Sequence, residues 1–197
     1  MAALSAQRVK VPGDNEQGRV RNGFSLLELL IVLSIIAILV SVTTPLLASF
    51  YGECCLKATI WDIAAMIKEA KQKALSEKYY AICFFPDQGI VSLVSDRGGD
   101  GEWGTADDEV VRYFTLRDKG GGLAFGYGKY GPIPTYAADA DGITFQDNVL
   151  VCNPDLTGNA GTVYVHSRHG GVMALTMNST DFDYTIRRFD GSRWSKL

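Results

Sequence analysis

Gly23-Phe24-Ser25-Leu26-Leu27-Glu28-Leu29-Leu30 opens the apolar run that decides the fold. From Phe24 to Val42 there are nineteen residues, and Glu28 is the only charge among them. As a helix rising about 1.5 Å per residue, the run is roughly 29 Å long, close to the hydrocarbon core of a bilayer. A carboxylate in such a segment is costly, on the order of 2.5–3.5 kcal/mol at mid-bilayer and less near the interface. It asks for a cation, and no Lys or Arg lies inside the run. Either the cation comes from another chain, or Glu28 reaches up to the headgroups from a plain anchor.

The segment before it, residues 1–23, carries Arg8, Lys10, Arg19 and Arg21 against Asp14 and Glu16, a net of +2. It has no apolar stretch of its own. An ordinary secretory signal has its apolar region ahead of its cleavage site, so this is not one. Positive charge ahead of the span holds the N-terminus in the cytoplasm and sends the later residues across the inner membrane.

The run Gly23-Phe24-Ser25-Leu26-Leu27-Glu28, the uninterrupted apolar helix behind it and Pro45 near its end resemble the processing site of type IV pilins and pseudopilins. The resemblance implies cleavage between Gly23 and Phe24 by a prepilin peptidase and N-methylation of Phe24. It also implies pairing of Glu28 with the terminal amine of a neighbouring subunit during assembly. It extends more loosely to the H-type (GspH/FimT-like) minor pseudopilins, through Gly142-Ile143-Thr144-Phe145, Gly161-Thr162-Val163-Tyr164-Val165 and Ser167-Arg168-His169-Gly170-Gly171-Val172.

Beyond the span the pattern changes. Leu56, Ile60, Ile63, Ile67, Ala70 and Ala74 recur at helical spacing, with Lys57, Asp62, Lys68, Glu69, Lys71, Lys73, Glu77 and Lys78 on the other face. This predicts an amphipathic helix to about residue 78. Pro45 is expected to bend it, and Gly52 to add a second soft point. After Lys78 come short apolar and aromatic runs between turns. Tyr79–Phe85 and Gly89–Val94 read as a hairpin about Pro86-Asp87-Gln88-Gly89. Glu109–Leu116, Leu123–Tyr127, Ile143–Phe145, Thr162–Ser167, Val172–Met177 and Phe182–Phe189 read as further strands, with a tight turn at Arg168-His169-Gly170-Gly171. The Gly-, Pro- and Tyr-rich segment 120–141 is expected as an exposed loop, its aromatics packing on the sheet or offering a partner surface. The fold class is α+β and pilin-like: a long N-terminal helix, half membrane and half amphipathic, on an antiparallel β-sheet domain. The expected division is a cleaved leader over 1–23, a transmembrane and assembly half over 24–50, and a periplasmic globular domain over 51–197.

The formal charge of −3 becomes about −5 once the leader's +2 is removed. A mildly acidic exported domain argues against nucleic-acid binding, which wants basic patches. There are four cysteines. An oxidising compartment allows a disulfide, and Cys83 in a strand with Cys152 in a later loop is the expected pair. The other reading is four small buried apolar residues. Adjacent Cys54 and Cys55 cannot easily bond each other, and no zinc spacing is present.

The stretch Asp96-Arg97-Gly98-Gly99-Asp100-Gly101-Glu102-Trp103-Gly104-Thr105-Ala106-Asp107-Asp108 is the most chemical one. Asp96, Asp100, Gly101 and Asp107 fall on the first, fifth, sixth and twelfth places of an EF-hand loop, with Asp108 beside them. Calcium takes six to eight oxygens and suits such a loop. Gly98 replaces a third ligand, and the last place is Asp instead of a bidentate Glu. The stretch also resembles the acidic, Gly-rich calcium loop of G-type pseudopilins. The competing reading is a solvated acidic hairpin loop. His166 and His169 read as strand-end and turn residues, since positions three apart in an extended chain face opposite ways. No GxSxG, P-loop or HExxH is present, so no enzyme is expected. Asn178-Ser179-Thr180 is a formal glycosylation sequon and receives no weight.

A non-catalytic structural subunit is therefore expected, a minor pseudopilin of a type II secretion system or a minor pilin of a type IV pilus. Small residues Ser34, Ala37 and Ser41 would let neighbouring helices approach. Its partners would be the prepilin peptidase, other pilins or pseudopilins, the inner-membrane assembly platform and, before assembly, lipid. The alternative is a membrane-anchored binding module, a DNA-uptake or adhesin-like tip. The grouping of Arg187, Arg188, Arg193 and Lys196 about Trp194 would serve that role, or would form a solvated edge strand.

Overall fold

The computed structural model describes residues 23–76, 78–136, 138–178 and 183–197. The leader's charges, Glu77, Phe182 and the Ser179-Thr180 half of the sequon lie outside the described residues. The chain divides into two compact units, one ending at Ser41 and the other Val42–Leu197. The helix α1 is Leu26–Ala74.

In the first unit the helix is apolar on every side, and all its described residues are exposed. Its hydroxyls are satisfied internally: Ser34 Oγ donates to Leu30 O at 2.7 Å, and Ser41 Oγ to Ile38 O at 2.8 Å. Those bonds remove polar demand from the helix surface.

In the second unit Pro45 lies inside α1 without ending it. The expected stripe is buried in full: Leu56, Ile60, Ile63, Ile67, Ala70 and Ala74, joined by Thr59, Ala64 and Met66. The helix stops at Ala74, earlier than expected. The Ser76 hydroxyl and N–H both donate to Lys73 O, closing a tight turn there. Serine competes with helix continuation in this way.

Two antiparallel sheets receive the stripe. The first has the order β3-β2-β1-β5, with β1 Tyr80–Phe85, β2 Ile90–Val94, β3 Val110–Thr115 and β5 Val149–Cys152. The second has the order β4-β6-β7-β8-β9, with β4 Leu123–Phe125, β6 Gly161–Ser167, β7 Val172–Met177, β8 Tyr184–Phe189 and β9 Trp194–Lys196. Ile82, Phe84, Leu93 and Leu150 of the first sheet and Val163, Val165, Met173 and Leu175 of the second share one core with α1. The period-2 pleat sends the alternate residues outward.

The β1–β2 hairpin turns on 86–89 as expected, with Gly89 at φ 66° and its N–H bonded to Pro86 O. The β6–β7 turn closes with Ser167 N–H on Gly171 O at 3.0 Å. Ile143–Phe145 is not a strand; it makes a single bridge, Ile143 to Val163. Segment 120–141 holds β4 and then covers the outer face of the second sheet. Tyr127 meets Tyr164 edge-on at 5.7 Å, and Tyr130 tilts onto Phe189 at 5.6 Å. Ile133 N–H donates to the buried Tyr164 hydroxyl at 3.2 Å. The loop's aromatics are thus packing residues, and the second sheet is covered on both faces.

Candidate functional site: the N-terminal segment and the loops of the globular unit

Gly23, Phe24 and Ser25 precede α1 in non-helical backbone, and all three are exposed. A Cβ added at Gly23 would meet no described atom within 4 Å, and its backbone is not left-handed. Among the described residues, no packing requires glycine here. Leu29 N–H closes the first turn on Ser25 O at 3.1 Å. Glu28 sits in that first turn, where unpaired N–H groups and the helix dipole favour a negative charge. An amine freed at Phe24 would lie at the same helix end. The helix that follows contains an 18-residue window with a mean hydropathy of 2.7, none of it buried within the chain. Residues this apolar on all sides need lipid or other helices around them.

The family model described as "Prokaryotic N-terminal methylation motif" matches residues 18–44. This chain carries a prokaryotic N-terminal methylation motif. The match spans Gly23, Phe24 and Glu28, the residues that its geometry isolates. Among solved structures, the chain is similar to the minor pseudopilin EpsH from the type 2 secretion system of Vibrio cholerae. The identity is 11%, over 72% of this chain and 95% of that one, with a TM-score of 0.38. No curated protein matches the chain.

In the globular unit, the residues of several expected sites lie apart. The acidic loop does not gather its carboxylates as a calcium site would. Asp107 Oδ2 accepts from Gly99 N–H at 2.6 Å and its Oδ1 from Thr105 Oγ1 at 2.7 Å. Those bonds hold its carboxyl below the usual range, the threonine hydroxyl contributing most. Asp108 Oδ2 accepts from Gly104 N–H at 2.6 Å, and Asp100 Oδ1 from Glu102 N–H at 2.9 Å. Asp96 is exposed. Among the described residues no three His, Cys, Asp or Glu side chains are placed to hold a metal. The loop closes on its own amides. Its product is the placement of Trp103, which covers the small outer cluster of Ala81, Cys83, Val94 and Val149.

The expected disulfide is also overturned. All four cysteines are free, and Cys152 is in β5, not a loop. The β1–β5 register pairs Tyr80 with Cys152 and Cys83 with Val149. The two sulfurs are therefore three positions out of step, roughly 10 Å along the strands and on opposite faces. Cys83 joins the outer cluster and Cys152 the main core. Burial pushes both thiols up to about 12; Asp108 adds to the rise at Cys83.

The histidines separate as expected: His166 Nδ1 lies 3.1 Å from Gly126 O, and His169 is exposed. The basic grouping near Trp194 is divided: Lys196 stands opposite Arg187 across β8–β9, while the others are drawn elsewhere. Arg188 pairs with Glu53 on α1, and Arg193 with Asp190 at 3.6 Å. Arg187 points to the other face of β8, toward Thr176 and Tyr136. Adjacent strand residues cannot make one patch.

One junction escaped sequence reading. Gly52, expected as a soft point, is where α1 touches the β6–β7 turn. A Cβ there would collide with Ser167 Oγ and meet Gly170 N at 3.2 Å. Ser167 Oγ donates to Gly121 O at 2.6 Å and accepts from Gly170 N–H at 3.1 Å. Gly52 thus permits a close backbone approach. The sequence signal was the glycine itself; its partners are distant in the chain.

Proposed function

We propose that this chain is a non-catalytic structural subunit, a minor pseudopilin or minor pilin, assembled after prepilin peptidase processing. One observation carries the reading: an exposed Gly23-Phe24 bond without structural need for glycine, directly ahead of an all-apolar helix whose only early charge is Glu28. In this reading the leader is cut and Phe24 is N-methylated. The apolar half of α1 rests in the inner membrane with its N-terminus cytoplasmic and the β domain periplasmic. On assembly, Glu28 exchanges an unfavourable place near lipid for the terminal amine of a neighbour. Desolvation strengthens that pairing. The dispersal of Arg187, Arg188 and Arg193 gives no support to the binding-module alternative.

The test is co-expression with a prepilin peptidase, followed by intact mass and N-terminal sequencing. The expected product begins at N-methylated Phe24. An uncut chain beside a processed control substrate would sink the reading. Glu28→Ala should leave insertion and cleavage intact while filament incorporation falls; normal incorporation would remove the pairing role.

A further inference from the structure

The outer face of the second sheet carries a cleft of about 540 Å³. Tyr136, Thr144, Thr162, Thr176, Thr185 and Arg187 line it. The pleat puts them together. Thr162 is opposite Thr176 across β6–β7, and Thr176 is opposite Thr185 across β7–β8. Arg187 follows Thr185 by two positions and so shares its face. The hydroxyls are already organised: Thr162 Oγ1 donates to Thr176 Oγ1 at 3.1 Å, and Thr144 Oγ1 accepts from Thr162 N–H at 2.8 Å.

Among the described residues, the groups that hold Arg187 in place are neutral. Its Nη1 donates to Thr176 Oγ1 at 3.2 Å and its Nη2 to the Tyr136 hydroxyl at 3.0 Å. Its guanidinium carbon is 4.9 Å from the Tyr136 ring centroid. Three other arginines are ion-paired. Arg112 pairs with Glu69, Arg188 with Glu53 and Arg193 with Asp190. Arg187 makes no ion pair among the described residues, yet it is half-buried. A guanidinium has five N–H donors, and hydroxyl acceptors leave its charge uncompensated. A charge drawn partly out of water is costly until an opposite charge meets it. Its fork is fixed beforehand, so little side-chain freedom remains to be lost on binding.

We propose that this cleft binds an oxyanion, the phosphate or carboxylate group of a small ligand, with Arg187 as the bidentate donor and the Thr185 hydroxyl beside it. The matched geometry is planar and forked, which suits both groups. The proposal is independent of the assembly role, since it involves neither α1 nor the leader.

The test uses the full chain in detergent, ¹⁵N-labelled at arginine, with the Arg187 Nε–H resonance followed by NMR. Inorganic phosphate and acetate are titrated separately at constant ionic strength against chloride. The expected result is a saturable displacement with at least one of the two, and the larger response tells which group the cleft prefers. Under thermal-shift readout the same anion should stabilise the chain. Arg187→Gln should abolish that stabilisation. Arg187→Lys keeps the charge without the fork, and should weaken binding by about tenfold. Tyr136→Phe keeps the arginine but removes one clamp, and should weaken it less. Arg193→Gln, altering an exposed pair, should leave it unchanged. Linear drift identical to chloride with both anions, or stabilisation that persists in Arg187→Gln, overturns the proposal.

Discussion

The two ends of α1 are both rich in Leu, Ile and Ala, and they do opposite things. In 26–41 apolar residues occupy every side, and all are exposed. In 56–74 they occupy one stripe, and the stripe is buried. The difference is periodicity, not hydrophobicity. A stripe can be satisfied by the chain's own sheets; an all-round apolar surface has to be satisfied by something else. Folding energy therefore resides in the second stretch, and the first contributes little to it.

That contrast is open to attack by substitution. The largest effect is expected at Ile63, which is fully buried. Ile63→Ala should cost about 2–5 kcal/mol in chemical denaturation of the globular unit. Ile35→Ala, at an exposed position, should change it by less than about 0.5 kcal/mol. Equal costs would break the division. Next is Gly52→Val, which forces apart α1 and the β6–β7 turn; overpacking of this kind costs about 1–3 kcal/mol. An unchanged melting temperature would show that the junction is loose. Thr59 runs the other way: it is fully buried, and its hydroxyl has no partner among the described residues. Thr59→Val should stabilise by roughly 1 kcal/mol, because it removes an unpaid desolvation. A loss of stability would reveal a hidden hydrogen bond.

The smaller effects sharpen the picture at the sheets. Exposed Cys54 should alkylate readily under native conditions, while Cys83 and Cys152 stay unreacted. Their folded thiols ionise only near pH 12, against 9.0 unperturbed. The raised values favour the folded state below pH 9.0, and that advantage disappears as pH rises from 9.0 toward about 12. Rapid native labelling of Cys83 would contradict the outer cluster. Smallest is the response to calcium. No three carboxylates converge among the described residues, so calorimetric titration of the full chain is expected to be flat. A melting-temperature rise that Asp100→Ala abolishes would restore the calcium loop.

Local features were legible in the sequence. The stripe Leu56-Ile60-Ile63-Ile67 gave the buried helix face, and Pro86-Asp87-Gln88-Gly89 gave the first hairpin. The Gly23-Phe24-Glu28 spacing marked the segment that the methylation-motif model matches, because its pattern is written in consecutive residues. What was illegible depended on register. Val149–Cys152 is a short apolar run, and only its pairing with β1 makes it a strand and separates Cys152 from Cys83. Trp194–Lys196 is too short and polar to announce itself. The carboxylates of 96–108 suggested a cation because a sequence shows acceptors, and it cannot show that nearby backbone amides have already claimed them.

The back-to-back placement of Cys83 and Cys152 has a practical consequence. This domain owes none of its cross-strand order to an oxidant. Its maturation should proceed equally in cells lacking thiol oxidoreductases, and reducing agents should be harmless during purification. If the domain is exported, as proposed, its fold carries no chemical memory of the side on which it was made.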